Sequence, residues 1–480
     1  MRGVFVLCFL AFFSAVSAET YYVATDGDDN KGDGSFSNPF YTVDHACDFL
    51  NTGDTLYIRE GIYYYTTTQT ISSLYGKPDS VILIKNYPGE VPIFDGRDRT
   101  SGDVKGMIFT DCEYIDFDSL TFRNMPQIAQ PNGFDYDQPI GLFLNNVRNS
   151  NVTHCVFHDI GYRGAWIYNC DDVVIDNCDF YNITDPLSDD AGDHGDGLMV
   201  WDDRSVAARD KVITVRNCRA WRNSDGGYDL QIEGTMIIEN NWSFHNGGYP
   251  DMKYGTGAAF AYGYPGSQSN STRVYVRNNL ACFNTGVGFP SLDANFQNVK
   301  PFEVYNNTSY HNKDGFAIFD SNTDDQYELM RILKNNLSFA NHDYNFRAYY
   351  GALNTEEYNS WNANTDVTVT NEDFRALPSD SINAFKILTA PRQPDGSLPD
   401  LGDYFKLALD SDLIDAGTDV GSSYNGNAPD LGAYECQKMT GNNFFPKIEI
   451  ITPAKEQIFG APAKINIEAK VFDKDGQVTT

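Results

Sequence analysis

The chain is 480 residues long and carries 66 acidic against 35 basic residues, a formal net charge of −31. That balance excludes nucleic acid as a partner, because phosphate backbones need a basic face. It admits an acidic substrate only through a cation or a local basic patch. Thirty tyrosines and 32 phenylalanines suit strands and sugar-stacking surfaces alike.

In chain order, residues 1–18 read as a secretory signal peptide, with Arg2, an apolar run from Val4 to Phe13 and the small-residue end Val16-Ser17-Ala18. No later stretch is apolar for long enough to span a membrane. A secreted, soluble monomer is therefore expected. Residues 21–64 combine a strand, a glycine-rich turn, a short helical run over Val43–Leu50 and a strand at Thr55–Arg59. Such a helix would cap the first turn of a repeat and protect its open edge.

From about residue 150 to 345 one pattern recurs. A strand with apolar alternation ends in Asn plus Asn or Cys, as in VVIDNCDFYN, VITVRNCRAWRN, MIIENNWSFHN, VYVRNNLACFN, FEVYNNTSYHN and RILKNNLSFAN. The first Asn of the pair falls at Asn217, Asn240, Asn278, Asn306 and Asn335. A second, glycine-led strand often follows, as in DGLMVW, GGYDLQI, GAAFAYG and GFAIFDS. Short strands in repeats of roughly 22–30 residues, with no helix pattern between them, predict an all-β parallel β-helix over residues 19–436. Roughly seven or more coils are expected between about residues 80 and 400, with Asn306 and Asn335 in adjacent turns of one Asn ladder. The sequons at Asn151, Asn182 and Asn307 then come from the ladders and not from glycosylation. Cys155, Cys178 and Cys218 share one phase of the repeat, which predicts stacked, buried free thiols where an exported chain would otherwise suggest disulfides. Residues 437–446 read as a linker, and 447–480 as the opening strands of an immunoglobulin-like β-sandwich, too short to supply the roughly seven strands such a fold needs.

Aligning the second strands on their glycines gives Asp196-Gly197-Leu198-Met199, then Gly226-Gly227-Tyr228-Asp229, then Thr256-Gly257-Ala258-Ala259, and later Asp314-Gly315. Equivalent residues of neighbouring coils lie about 4.8 Å apart, so Asp196, Asp225 and Asp229 are expected in one patch. Carboxylates that close repel unless they share a cation. Ca²⁺, which takes roughly six to eight oxygen ligands, is the expected cofactor, with these three aspartates as metal ligands. The plainer alternative is that Asp-Gly marks a turn, as at Asp26-Gly27-Asp28.

The chain resembles the family 9 polysaccharide lyases, pectate-lyase-type right-handed parallel β-helices, from about Tyr21 to Glu435. The resemblance rests on GDG at 195–197, AWRNSDGGYDL at 220–230, GTGAAFAYG at 255–263 and NNLACFNTGVGF. It implies Ca²⁺ ligands at Asp196, Asp225 and Asp229, a further aspartate where this chain has Gly226, and a catalytic lysine in the glycine-rich strand. That lysine would take the C5 proton of a uronate in β-elimination, with the metal neutralising the uronate carboxylate. The lysine position is matched here to Ala259, one coil on from Asp229, and Asp193 is a candidate to replace the missing carboxylate. Lys253 is the expected catalytic base, ahead of Tyr254 and His194, while Arg163 and Arg222 are candidates to neutralise a carboxylate. Tyr228, Trp242, Phe260, Tyr262 and Tyr264 are read as core or ladder residues more readily than as sugar platforms. The expected function is an extracellular Ca²⁺-dependent lyase acting on an acidic, pectin-like polysaccharide. The alternatives are a non-catalytic carbohydrate-binding β-helix and a glycoside hydrolase built on two of the aspartates.

Overall fold

The structure, a computed structural model, describes residues 18–99, 105–129, 137–202, 211–232, 234–263, 273–292, 301–319, 331–349, 354–362, 367–436, 447–452 and 466–472. Residues 1–17 of the expected signal peptide and the linker at 437–446 lie outside the described residues.

Period-two alternation decides which way each strand faces. In Ile115–Asp118, Ile115 and Phe117 are buried while Asp116 and Asp118 stay partly exposed. Repeated coil after coil, this builds three parallel sheets among the described residues. The first holds twelve strands from Thr20–Val23 to Asn354–Glu357. The second holds ten from Gln69–Ser72 to Tyr344–Ala348, and the third ten from Gly61–Tyr64 to Leu337–Phe339. Each coil adds one strand to each sheet, which is the expected parallel β-helix with more than the expected minimum of coils. At the N-terminal end the helix is shorter than its sequence suggests, Val43–Cys47, and buries Val43, Ala46 and Cys47. The Gln69 side-chain oxygen accepts from the backbone N–H groups of Val43 and Asp44, which would otherwise be orphaned at the helix start.

Stacking in register makes every inward position a row of like residues. In the third sheet the rings of Tyr63, Phe94, Phe122, Phe157 and Phe180 stack at 5.1–5.3 Å. Beyond Phe180 that row turns small, to Ala220, Ser243, Ala281, Ser309 and Ser338. The bulk passes to the second sheet, where Tyr228, Phe260, Phe289 and Phe316 stack in turn.

The Asn pairs divide the work between their members. The first Asn takes the left-handed turn conformation, with φ of 55° at Asn217, 53° at Asn306 and 58° at Asn335, which Asn tolerates better than most residues. Asn335 Nδ2 donates to Asn306 Oδ1 at 3.4 Å, so these two do occupy adjacent turns. The unbroken ladder belongs to the second Asn: the backbone N–H of Asn241 donates to Asn279 Oδ1, and Asn279 in the same way to Asn307, Asn307 to Asn336, and Asn336 to Asn359. Toward the N-terminus the same row continues as Cys218 and Cys178, the Cys178 N–H reaching the Cys218 sulfur at 3.4 Å. All eight cysteines in the described residues are buried thiols outside any disulfide. Asn307 is fully buried, so its sequon lies inside the ladder.

Residues 367–436 run back along the third sheet and contribute the helix Ser381–Leu388. Asp179 fastens this segment, accepting from Arg219 and from Arg392 at 2.7 Å each. Arg219 also donates to the carbonyls of Leu388 and Ala390. Of the expected sandwich, the described residues hold one antiparallel pair, Lys447–Thr452 with Glu468–Phe472.

Two outcomes follow from these rows. Cys155, Cys178 and Cys218 should resist thiol reagents in the native protein and react together only on unfolding. Asn307→Ala, which removes the acceptor for the Asn279 N–H and the donor to the Val276 carbonyl, should lower stability by about 3 kcal/mol in denaturant titration.

Candidate functional site

A glycine row at the corner entering the second sheet sets up the site. Gly141, Gly164, Gly197 and Gly227 each turn inward. A Cβ on Gly197 would stand 2.6 Å from the Gly227 carbonyl, and one on Gly227 would stand 2.2 Å from Ser243 Oγ. No side chain fits there. The residue before Gly164, Gly197 and Gly227 is thereby turned outward, giving a row Arg163, Asp196, Gly226 that Ala258, before Ala259, continues in the next coil. Asp229, three residues after Gly226, faces outward on the strand Tyr228–Gln231 and follows Met199 in register.

Asp196, Asp225 and Asp229 line one cavity of about 300 Å³, with Gln231, Thr256, Ala258 and Ala261 beside them and an apolar wall of Val287, Pro290, Leu292 and Phe319. Each carboxylate commits one oxygen to the chain. Asp196 Oδ1 accepts from the Gly226 N–H at 3.1 Å, Asp225 Oδ1 accepts from Thr256 N and Oγ1 at 2.6 and 2.8 Å, and Asp229 Oδ1 accepts from Gln231 Nε2 at 2.7 Å. The second oxygen of each takes no hydrogen bond from the described residues. Burial raises the pKa of all three, and the neighbouring charges of Asp225 and Asp229 add to it at Asp196, which stands well above the ordinary carboxylate range. Asp225 is pushed up to about 7, by burial first and also by the charge of Asp193.

Three carboxylates on one cavity, buried at Asp196 and Asp225 and half-buried at Asp229, each with an open oxygen, supply hard oxygen ligands of the kind Ca²⁺ takes. The carbonyls and hydroxyl of the surrounding turns are of the same kind. The side chains line the cavity without closing on a point: among the described residues no three His, Cys, Asp or Glu groups are gathered closely enough to hold an ion as they stand. Asp314, in the same row further along, makes a useful contrast, because Arg347 neutralises it at 2.7 Å. Among the described residues Asp196 has no ion-pair partner, although the charge of Arg163 acts on it.

The register corrects one expectation. Tyr228 pairs with Phe260 and Asp229 with Ala261, so the residue one coil on from Asp229 is Ala261 and not Ala259. Gly255 and Gly257, at φ 112° and 64°, are used in the turn that lays Thr256 over Asp225. The glycine place in the row therefore passes to Ala259, two residues later than simple alignment on glycine predicts. The position remains an alanine.

The other expected residues scatter. Lys253 is exposed rather than partly buried, donates to the Tyr254 hydroxyl at 2.7 Å, and is not among the residues lining the cavity. His194 is bound to Asp185 at 3.0 Å, which raises its pKa, and its ring stacks on Tyr162. Arg222 lies over the Phe385 ring at 3.8 Å. Tyr228, Trp242, Phe260 and Tyr262 are buried core residues as read, and Tyr264 falls outside the described residues. Sequence reading missed Thr256 and Gln231 as the groups that orient the carboxylates. It also missed that Arg163 shares the row of Asp196, although RGAWIY and DGLMVW carry the glycine at the same phase.

A family model described as the Pel9A-like, right handed beta helix region matches residues 21–359. Pectate lyase L of Dickeya dadantii (strain 3937) is 28% identical over 431 residues, covering 86% of this chain and 90% of that protein. The crystal structure of pectate lyase Pel9A superimposes with a TM-score of 0.65 at 24% identity, covering 88% of this chain and 97% of that one. A rhamnogalacturonan lyase structure does so with 0.67 at 23%, covering 82% and 97%. At such identity the two structures show a shared fold.

The raised pKa of Asp225 has a direction in pH. A carboxyl whose folded value is about 7 favours the folded state while protonated, and that contribution is lost as pH rises from the ordinary carboxylate range through about 7. In the presence of a chelator, the wild type should lose thermal midpoint relative to Asp225→Asn across this window. Scans of both proteins at pH 4.5, 6 and 7.5 measure the difference.

Proposed function

The chain belongs to the family of Pel9A-like right-handed β-helices, and from that premise we propose that it is a secreted, Ca²⁺-dependent polysaccharide lyase that cleaves an acidic, pectin-like chain by β-elimination. The observation that carries the reading is the cavity lined by two buried aspartates and the half-buried Asp229, each keeping one oxygen free. Relatives named pectate lyases support the reaction class. A strongly acidic protein would otherwise repel an acidic polymer, and a divalent cation held by Asp196, Asp225 and Asp229 removes that conflict. When bound, calcium would draw the uronate carboxylate and make the C5 proton more acidic.

The chain's own groups do the rest. The Gly226 N–H, Thr256 and Gln231 hold the three carboxylates in place, which fixes where the uronate carboxylate is presented. Val287, Pro290, Leu292 and Phe319 keep one side of the cavity apolar, so charges there are less screened by water. Ala261 has no group to accept a proton. Lys253 is the proposed base, because the segment that lays Thr256 over Asp225 also carries Lys253 three residues earlier.

A second reading, a glycan-binding β-helix without catalysis, is favoured by one observation: Ala261 faces the cavity and Lys253 does not line it. Incubation with polygalacturonate, rhamnogalacturonan and other polyuronates, with and without chelator, separates the two. Calcium-dependent ultraviolet absorbance from unsaturated ends is expected. Binding without cleavage would establish the second reading, and reducing ends without unsaturation would establish a hydrolase.

Within the lyase reading, Lys253→Ala should lower kcat by about 10²-fold or more while calorimetry shows unchanged calcium binding. Asp229→Ala should abolish that binding. Gly226→Asp should tighten it, since a side chain there begins 3.0 Å from Asp196 Oδ1, and for the same reason the metal-free variant should be less stable than wild type.

A further inference from the structure

Arg163 precedes Asp196 by one coil in the outward row, and the proposed chemistry leaves it unused. Its side chain is only 6% exposed. The guanidinium carbon lies 4.1 Å from the ring centre of Tyr162 and 4.8 Å from that of Trp166. Nε and Nη1 are buried without a hydrogen-bond partner, and so is the indole Nε1 of Trp166. Other arginines of this helix are matched: Arg59 by Glu90, Arg123 by Asp95, Arg219 and Arg392 by Asp179, and Arg347 by Asp314. Arg163 makes no ion pair with a described residue; its charge reaches Asp196 and Asp229 only through space and uses none of its donors.

Burying a guanidinium with unused donors is unfavourable unless a group from outside the chain takes them up. The planar fork matches a carboxylate. Beside it, Phe143 stacks on Trp166 with ring centres 5.0 Å apart, and Tyr168 meets Trp166 edge-on at 5.4 Å. All three rings are half-buried on the outward face of the second sheet. A carboxylate fork next to aromatic faces has the two chemistries of a uronate: a charged group and a pyranose ring. In register, Trp166, Met199 and Asp229 follow one another, so this place lies two coil steps, about 10 Å, from Asp229 along the same face.

We infer that Arg163 and Trp166 form a second carboxylate-recognising subsite, which binds another uronate of the same chain directly, without a metal. The inference rests on the proposed acidic substrate, but not on its cleavage. It assigns the two ends of the groove to different chemistry, with aspartates needing a cation at one end and a cationic fork at the other.

The test uses the whole protein and galacturonate oligomers of defined length, with neutral galactose oligomers as control, followed by calorimetry and tryptophan fluorescence. Arg163→Met keeps bulk between Tyr162 and Trp166 and removes the charge, while Arg163→Lys keeps the charge and loses the fork. The Met variant should keep a thermal midpoint no lower than wild type. It should bind the acidic oligomer at least 10-fold more weakly, both with chelator and with calcium, while the Lys variant falls between and calcium affinity is not reduced. Equal oligomer affinity of the wild type and the Met variant in both conditions would overturn the subsite, including the case in which only calcium affinity changes and Arg163 is merely a counter-charge to the aspartates. The lyase reading fails separately: an Arg163-dependent affinity with no unsaturated product from any polymer leaves the subsite standing, and product formed with an unchanged KM in the Met variant does the reverse.

Discussion

The parallel stacking of coils at the strand spacing, about 4.8 Å, governs everything else in this protein. It makes each residue the neighbour of its own equivalent one coil later, so chemistry is laid down in rows. An inward row that mixes sizes has to exchange bulk between sheets, and here the exchange from Phe180 to Tyr228 falls on the coil that carries Asp225 and Asp229. Gly227 packs against one of the small residues left in the third sheet, the Ser243 hydroxyl. The glycine that turns Asp196 outward and the core that tolerates it are therefore one arrangement.

The same spacing sets the electrostatics. A row or a corner that repeats a carboxylate stores repulsion, and the chain meets it in different ways along its length. At Asp95, Arg97 and Arg123 hold the carboxylate well below its ordinary range. At Asp179, two arginines join the C-terminal segment to the helix. At Asp196, Asp225 and Asp229 no described residue makes an ion pair, and burial raises all three although the charge of Arg163 offsets part of it at Asp196 and Asp229. A structural role would favour the first arrangement, since leaving acids buried and unpaired costs stability. Retaining the third beside an open cavity is the pattern expected of a site.

Much of this was legible in the sequence because rows leave a periodic trace. The Asn and Cys phases, the two-strand repeat and the convergence of Asp196 with Asp225 and Asp229 on one cavity could all be read from spacing alone. What failed was the step across the turn at 247–257. Four glycines with positive φ there, Gly247, Gly248, Gly255 and Gly257, absorb residues into the turn, so the row resumes at Ala259 and shifts the partner of Asp229 to Ala261. Glycine marks both inward corners and left-handed turns, and composition cannot tell the two apart. The groups that orient the carboxylates, Thr256 and Gln231, were missed for a related reason: each acts through local hydrogen bonds that have no sequence period.

The turn at 247–257 also bears on why an alanine can stand opposite Asp229. In a strict row, the residue facing the cavity from the next coil is fixed by the strand and has the reach of one side chain. Here the preceding segment arches over Asp225, pinned by Thr256 to that carboxylate and by the Tyr254 N–H to the Ala191 carbonyl. A base carried on this arch answers to the turn and not to the row, so its position is set by glycine geometry at Gly255 and Gly257. Substituting either glycine would strain the backbone, because both lie in the left-handed region and a Cβ at either would stand within 2.3 Å of a neighbouring atom. The arch would then lose its hold on Asp225 and its placement of Lys253 together. On the proposed reading, calcium ligation and proton transfer, separable in a strand-borne site, would both depend on the segment 247–257.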